Sequence, residues 1–66
     1  MNRISISARI VAYRRANNLS QGDFGKLMGV SAQAVSKWEC EKTYPDITLL
    51  PALAGILGCQ INDFFA

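Results

Sequence analysis

Apolar positions along this chain recur with the period of a helix rather than a strand. Ile6, Ile10 and Tyr13 line one face while Arg9, Arg14 and Arg15 take the others, which predicts an amphipathic first helix. Asn17-Asn18 closes it, because asparagine tolerates the left-handed backbone favoured just beyond a helix end. Ser20-Gln21-Gly22-Asp23 then reads as a capping box, a hydroxyl N-cap followed three residues on by an acid. It opens a short second helix with Phe24 and Met28 one turn apart on its inner face, and Gly29 stops it. Ser31 is the N-cap of a third helix reaching about Cys40, with Val35 and Trp38 as its inward side chains.

Tyr44, standing before Pro45, is biased out of the helical region, so residues 41–45 form a loop. Asp46 or Thr48 caps a fourth helix, and Pro51 favours Thr48. Pro51 would then fall in the first turn, where amide donors lack intrahelical partners anyway. Leu50, Leu53, Ala54 and Leu57 follow at core spacing, and Gly58 ends that helix. A last turn from Gln60 to Phe65 is expected to pack Ile61 and Phe64 onto the core. No segment alternates with period two. The chain is therefore expected to be all-α, with five short helices.

The 66 residues allow a single domain, here 1–66, whose small core buries about 60% of the surface the unfolded chain exposes. No apolar run approaches the roughly 20 residues of a membrane span. The segment Met1 to Ser7 lacks the apolar stretch of a signal peptide, so a cytoplasmic location is expected. Histidine is absent, which removes imidazole acid–base chemistry and the Cys/His zinc spacings. Cys40 and Cys59 are the two cysteines. In a cytosolic chain both stay reduced, as apolar filler or surface residues, with a thiol switch the lesser alternative. No cofactor or metal is expected, and an enzyme is the least favoured class, since no nucleophile–base pair stands out.

Charge is unevenly placed. Residues 1–20 carry Arg3, Arg9, Arg14 and Arg15 without an acid; residues 21–42 balance; residues 43–66 carry only Asp46 and Asp63, for a net charge of +2. The basic end could meet a polyanion, although many solvated surfaces look alike.

The junction between helices two and three is the most informative feature. Two helices crossing steeply over a short turn need a residue without a side chain where their backbones touch, and Gly25 supplies it. They also need positive φ in the turn, and Gly29 supplies that. Gly25 costs about 1 kcal/mol of helix propensity relative to alanine, so close packing should compensate. Val30 and Val35 plug the angle from below.

The segments Leu19-Ser20-Gln21, Phe24-Gly25, Met28-Gly29-Val30-Ser31, Val35-Ser36-Lys37-Trp38-Glu39 and Tyr44-Pro45-Asp46, in that order and spacing, resemble the Xre-type, phage-repressor-like helix-turn-helix family. The resemblance runs from about Ile6 to Phe65. It implies a compact five-helix, lambda-repressor-like DNA-binding fold whose helices two and three, at about 20–40, form the helix-turn-helix. It further implies a cytoplasmic transcription regulator, with helix three in the major groove of double-stranded DNA and helix two across the backbone. Three residues depart from the family pattern. Gly25 replaces the usual alanine, which should loosen helix two without changing its geometry. Glu41 replaces a usual glycine, so either helix three runs on or Glu41 is strained. Leu27 replaces a polar residue and is expected to be exposed, as a tolerated surface leucine or a partner contact.

Candidate contacts follow from this placement. The resemblance implies that Gln33 reaches base edges, where glutamine can pair with adenine; the plain alternative is a solvated side chain. Ala32 can offer a methyl to thymine or serve only as a helix former. Lys37, one turn beyond Gln33, can take guanine, a phosphate or only water, and Ser36 lies between them. Gln21, at the positive end of helix two, suits a phosphate. Ser31 can divide its hydroxyl between capping and a phosphate, and Lys42 and Thr43 are placed for the backbone on the other side. These contacts would set register without reading sequence. The resemblance also suggests that Arg14 pairs with Glu39, rather than with a phosphate. Arg3 and Arg9 count as general positive charge, and Trp38 as core.

Phe65 has no evident use inside, and regulators of this kind often dimerise there. A weak homodimer on a pseudo-palindromic operator is expected, with half-sites about 34 Å apart. An antitoxin with a protein client, or a helical interaction module without DNA affinity, are the rival classes; exposed Leu27 and Phe65 would serve either. Glu41 and the low net charge favour the latter.

Overall fold

Helix ends leave backbone amides open, and side chains satisfy them at the start of the second and third helices. The computed structural model describes residues 6–65, so Arg3 and its expected electrostatic part lie outside the described residues. Helix α1 spans Ile6–Ala16, α2 Gln21–Met28, α3 Ala32–Glu39 and α4 Leu50–Leu57, with 3-10 turns at Ile47–Leu49 and Ile61–Phe65. The described residues form no strand. The all-α expectation holds. The fifth helix is a 3-10 turn.

Ser20 and Asp23 close their box reciprocally: the Asp23 amide donates to Ser20 Oγ at 3.0 Å and the Ser20 amide to Asp23 Oδ2 at 3.1 Å. Ser31 Oγ accepts from the Ala34 amide at 3.1 Å. At the fourth helix the expectation needs correcting. Thr48 does not cap α4; its own amide and hydroxyl donate to Asp46 Oδ1, both at 2.9 Å. Asp46 thus caps the Ile47–Leu49 turn, which runs straight into α4, and α4 needs no side-chain cap of its own.

All four helices end alike. Just beyond each lies a left-handed residue: Asn18 (φ 56°), Gly29 (73°), Glu41 (60°) and Gly58 (70°). The next amide then reaches back five residues, Leu19 to the Arg14 carbonyl (2.8 Å), Val30 to Gly25 (2.8 Å), Lys42 to Lys37 (2.9 Å) and Cys59 to Ala54 (3.0 Å). Such an end favours glycine followed by an apolar residue. α2 has both in Gly29 and Val30; α3 has neither. Helix three therefore does not run on, and Glu41 holds a conformation that costs a residue with a Cβ about 1–2 kcal/mol.

The core draws on every helix: Ile6 and Ile10 from α1, Phe24 and Met28 from α2, Val35 and Trp38 from α3, Leu50, Leu53 and Ala54 from α4, and Phe64 from the last turn. Tyr13 meets Phe24 edge to face, with centroids 5.9 Å apart, a favoured geometry for two rings. Ile61, expected to pack inward, is instead exposed, and Leu57 is only half-buried. The short 3-10 turn spends its one inward position on Phe64.

Gly25 of α2 lies against the backbone of the turn that leads into α3. A Cβ there would stand 2.5 Å from the Val30 carbonyl oxygen and 3.2 Å from the Ser31 carbonyl. The expectation that glycine here leaves the geometry unchanged is therefore corrected. Val30's backbone occupies space that a methyl group would need.

Candidate nucleic-acid interface

α3 is clamped from one side. Val35 is fully buried and Trp38 nearly so, which makes Trp38 core rather than a stacking surface and fixes the helix's rotation. At a 3.6-residue period the outer face then falls to Ala32, Gln33 and Lys37, all exposed, with Ser36 half-buried between them. Gln33, Ser36, Lys37, Cys40 and Lys42 line one open concavity. Its polar donors are thus two ammonium groups, an amide and a hydroxyl, a set suited to base edges and phosphates. Ser31 is exposed at the head of α3. Its oxygen accepts the capping bond, so its proton remains available to donate. Thr43 is exposed in the loop beyond Lys42 but does not line the concavity.

A polar cluster fastens the three helices behind this face. Arg14 of α1 grips Glu39 of α3 in a fork, Nε to Oε2 at 2.6 Å and Nη2 to Oε1 at 2.9 Å. Its third nitrogen, Nη1, donates to the Leu19 carbonyl at 3.1 Å. Gln21, the first residue of α2, donates its Nε2 to Glu39 Oε1 at 3.1 Å. The Arg14 side chain is 18% exposed and that of Glu39 only 8%. Burial pushes the Glu39 carboxyl up, but hydrogen bonds from Arg14 and Gln21, with the charges of Arg14 and Arg15, outweigh it and hold Glu39 below the usual carboxylate range. The hydrogen bond to Glu39 raises Arg14 in turn. Both stay charged at neutral pH.

Two features escaped the sequence. Cys40 shares the concavity, although its spacing of three, four and seven from Lys37, Ser36 and Gln33 was available as a signal. Arg9 does more than supply charge: it is half-buried, and its Nη2 lies 3.5 Å from the Asp63 carbonyl, tying α1 to the last turn. Apolar side chains also remain outside. Leu27 on α2 is 53% exposed and Phe65 45%, while Ile47, which sequence reasoning did not single out, is 78% exposed.

The helix-turn-helix family profile matches residues 10–64, and the chain belongs to that family. It is 39% identical over 60 residues to the repressor protein C2 of Salmonella phage P22, matching over 91% of this chain but 28% of that relative. The chain thus spans less than a third of that protein's length. It is 38% identical over 53 residues to an uncharacterized HTH-type transcriptional regulator of Methanocaldococcus jannaschii, covering 80% of each. Among solved structures it is similar to the P22 c2 repressor in complex with a synthetic operator, with a TM-score of 0.79, 35% identity and 91% of both chains covered.

Proposed function

We propose that this helix-turn-helix chain is a sequence-specific, double-stranded DNA-binding transcription regulator acting as a repressor in the cytoplasm. The observation that carries this is the outer face of α3, where Gln33, Ser36, Lys37 and Lys42 surround one open concavity while Val35 and Trp38 hold the opposite face in the core. α3 enters the major groove. Gln33 reads adenine, Lys37 reads guanine or grips a phosphate, Ala32 meets a thymine methyl and Ser36 adds a short contact. Gln21, Ser31, Lys42 and Thr43 hold the phosphates on either side. The similar P22 repressor, seen with an operator, supports this docking. Occupancy alone would regulate, so the protein acts without catalysis and without a cofactor.

The functional unit on DNA is a weak homodimer. Phe65 and Ile61 both leave apolar surface in the last turn, and the longest dimension is 31 Å. Two copies therefore fit side by side on half-sites about 34 Å apart. Two apolar side chains per copy cover far less than a standard interface, so pairing should need the duplex. Exposed Leu27 favours one further reading, an antitoxin that binds DNA with this face and a protein client with α2.

Selection from a randomised duplex pool at roughly physiological salt tests the proposal, because non-specific binding is weak there. A two-fold symmetric site is expected. Recovery of nothing above background would overturn DNA recognition and leave a protein-interaction module.

A further inference from the structure

Glu39 is an acid within a domain proposed to grip a polyanion, and its carboxylate is the point where three helices meet. One of its oxygens, Oε1, accepts from both Arg14 Nη2 at 2.9 Å and Gln21 Nε2 at 3.1 Å. Arg14 also holds the Leu19 carbonyl, immediately before the Ser20 cap of α2. The first turn of α2 is thus fixed to the last turn of α3 through a single side chain.

The chemistry of the Gln21 amide gives this arrangement a direction. A carboxylate only accepts hydrogen bonds, so Gln21 must present its NH2 group to Glu39, never its carbonyl. A phosphate also only accepts. An amide free to flip would offer its oxygen as readily as its nitrogen, and that oxygen repels a phosphate. An NH2 group has two hydrogens, and Glu39 takes one. We propose that Glu39 is a positioning residue for DNA binding. It holds the Gln21 amide so that the second NH2 hydrogen donates to a backbone phosphate. This rests on the DNA-binding reading above. Arg14 offsets the Glu39 charge within the cluster, so orientation is gained without leaving a bare anion beside the duplex. Arg14, Arg15 and Gln21 are the groups acting on that carboxylate.

A positioning role for Glu39 has a sign opposite to simple electrostatics. Glu39→Gln removes a negative charge, which by charge alone should tighten binding to any duplex. Positioning predicts weaker binding instead, by roughly tenfold, the loss expected for a charge-assisted hydrogen bond. Affinities of the wild type, Q21A, E39Q and the double variant on one duplex are measured well below every unfolding midpoint. Each single variant should weaken binding about tenfold, and the double variant should bind no worse than the weaker single, since the two act as one unit. Effects that multiply, or tighter binding by E39Q, would overturn the inference while leaving DNA binding intact. Absence of duplex binding by the wild type would overturn both. Should E39Q fail to fold, the wild-type side-chain amide resonances of Gln21 decide. They should shift on adding duplex and on acidifying through Glu39 protonation, and silence in either titration refutes the relay.

Discussion

The Val30 carbonyl oxygen fills the space where Gly25 would carry a side chain, 2.5 Å from the position of its absent Cβ. The same Val30 donates its amide back to the Gly25 carbonyl at 2.8 Å, so the approach is held by a hydrogen bond. Alanine at 25 would gain about 1 kcal/mol of helix propensity. It must also push a backbone carbonyl aside, an overpacking cost of about 1–3 kcal/mol. The clash should win, so Gly25→Ala lowers stability by about 1 kcal/mol and Gly25→Val by more. Urea unfolding of the two variants checks this; a stabilised alanine variant would mean that the turn opens freely.

Removing the Glu39 carboxylate strands Arg14 in a largely enclosed site. With the side chains of Glu39 8% and Arg14 18% exposed, the pair is part-buried, and Glu39→Ala should cost about 2 kcal/mol, between the values for exposed and buried pairs. For a domain of this size that is a fall in Tm of about 8–16 °C. A loss under about 1 kcal/mol, the value for an exposed pair, would refute this role for the fork.

Acid should unfold the protein partly through the same group. Glu39 holds its proton less tightly folded than unfolded, because burial is outweighed by Arg14 and Gln21. Asp23 and Asp46 are lowered by the backbone amides of Ser20 and Thr48. Groups lowered on folding stabilise the native state above their ordinary range, about pH 4, and lose that contribution as pH falls through the folded values. Stability should therefore be level near neutrality and fall steeply below about pH 4. Denaturation midpoints measured down the acid limb should show a shallower fall in Glu39→Gln.

Glu41 closes α3 with φ at 60°, where α2 and α4 use glycine. Glu41→Gly relieves that strain and should stabilise the chain by about 1 kcal/mol. It also removes a negative charge next to Lys42, so duplex affinity should rise. Thermal unfolding and a binding titration read the two effects separately. Tighter binding without added stability would place the whole effect in the charge.

Gln33 and Lys42 line the same concavity but should fail differently. Gln33→Ala is expected to relax base preference at one position of the site. Lys42→Ala should weaken all duplexes alike and lower the salt slope by about 1. If neither changes binding, α3 does not enter the groove as placed.

Local chemistry made much of this legible in advance. Ser20 with Asp23, Ser31, Gly29 and Gly58 mark helix ends through hydrogen bonds and backbone angles set within a few residues, so neighbouring sequence suffices to place them. The core pairs Ile6/Ile10, Phe24/Met28 and Val35/Trp38 follow from periodicity alone. Thr48 misled because Asp46 lies two residues earlier, and its carboxylate captured both the amide and hydroxyl of Thr48. The two residues compete for one turn, and spacing does not rank them.

By itself, the sequence determined which segments are helical and which face of each of α1 to α4 is apolar. Those depend on contacts between near neighbours. Tertiary structure decided what depends on distances between remote residues. It set how far Val30 advances over Gly25, turned Ile61 outward because Phe64 fills the core, and bound Gln21 to Glu39 across 18 positions of chain. No local pattern encodes which of several acceptors a glutamine amide will meet, because the packing of α1, α2 and α3 brings that acceptor into reach.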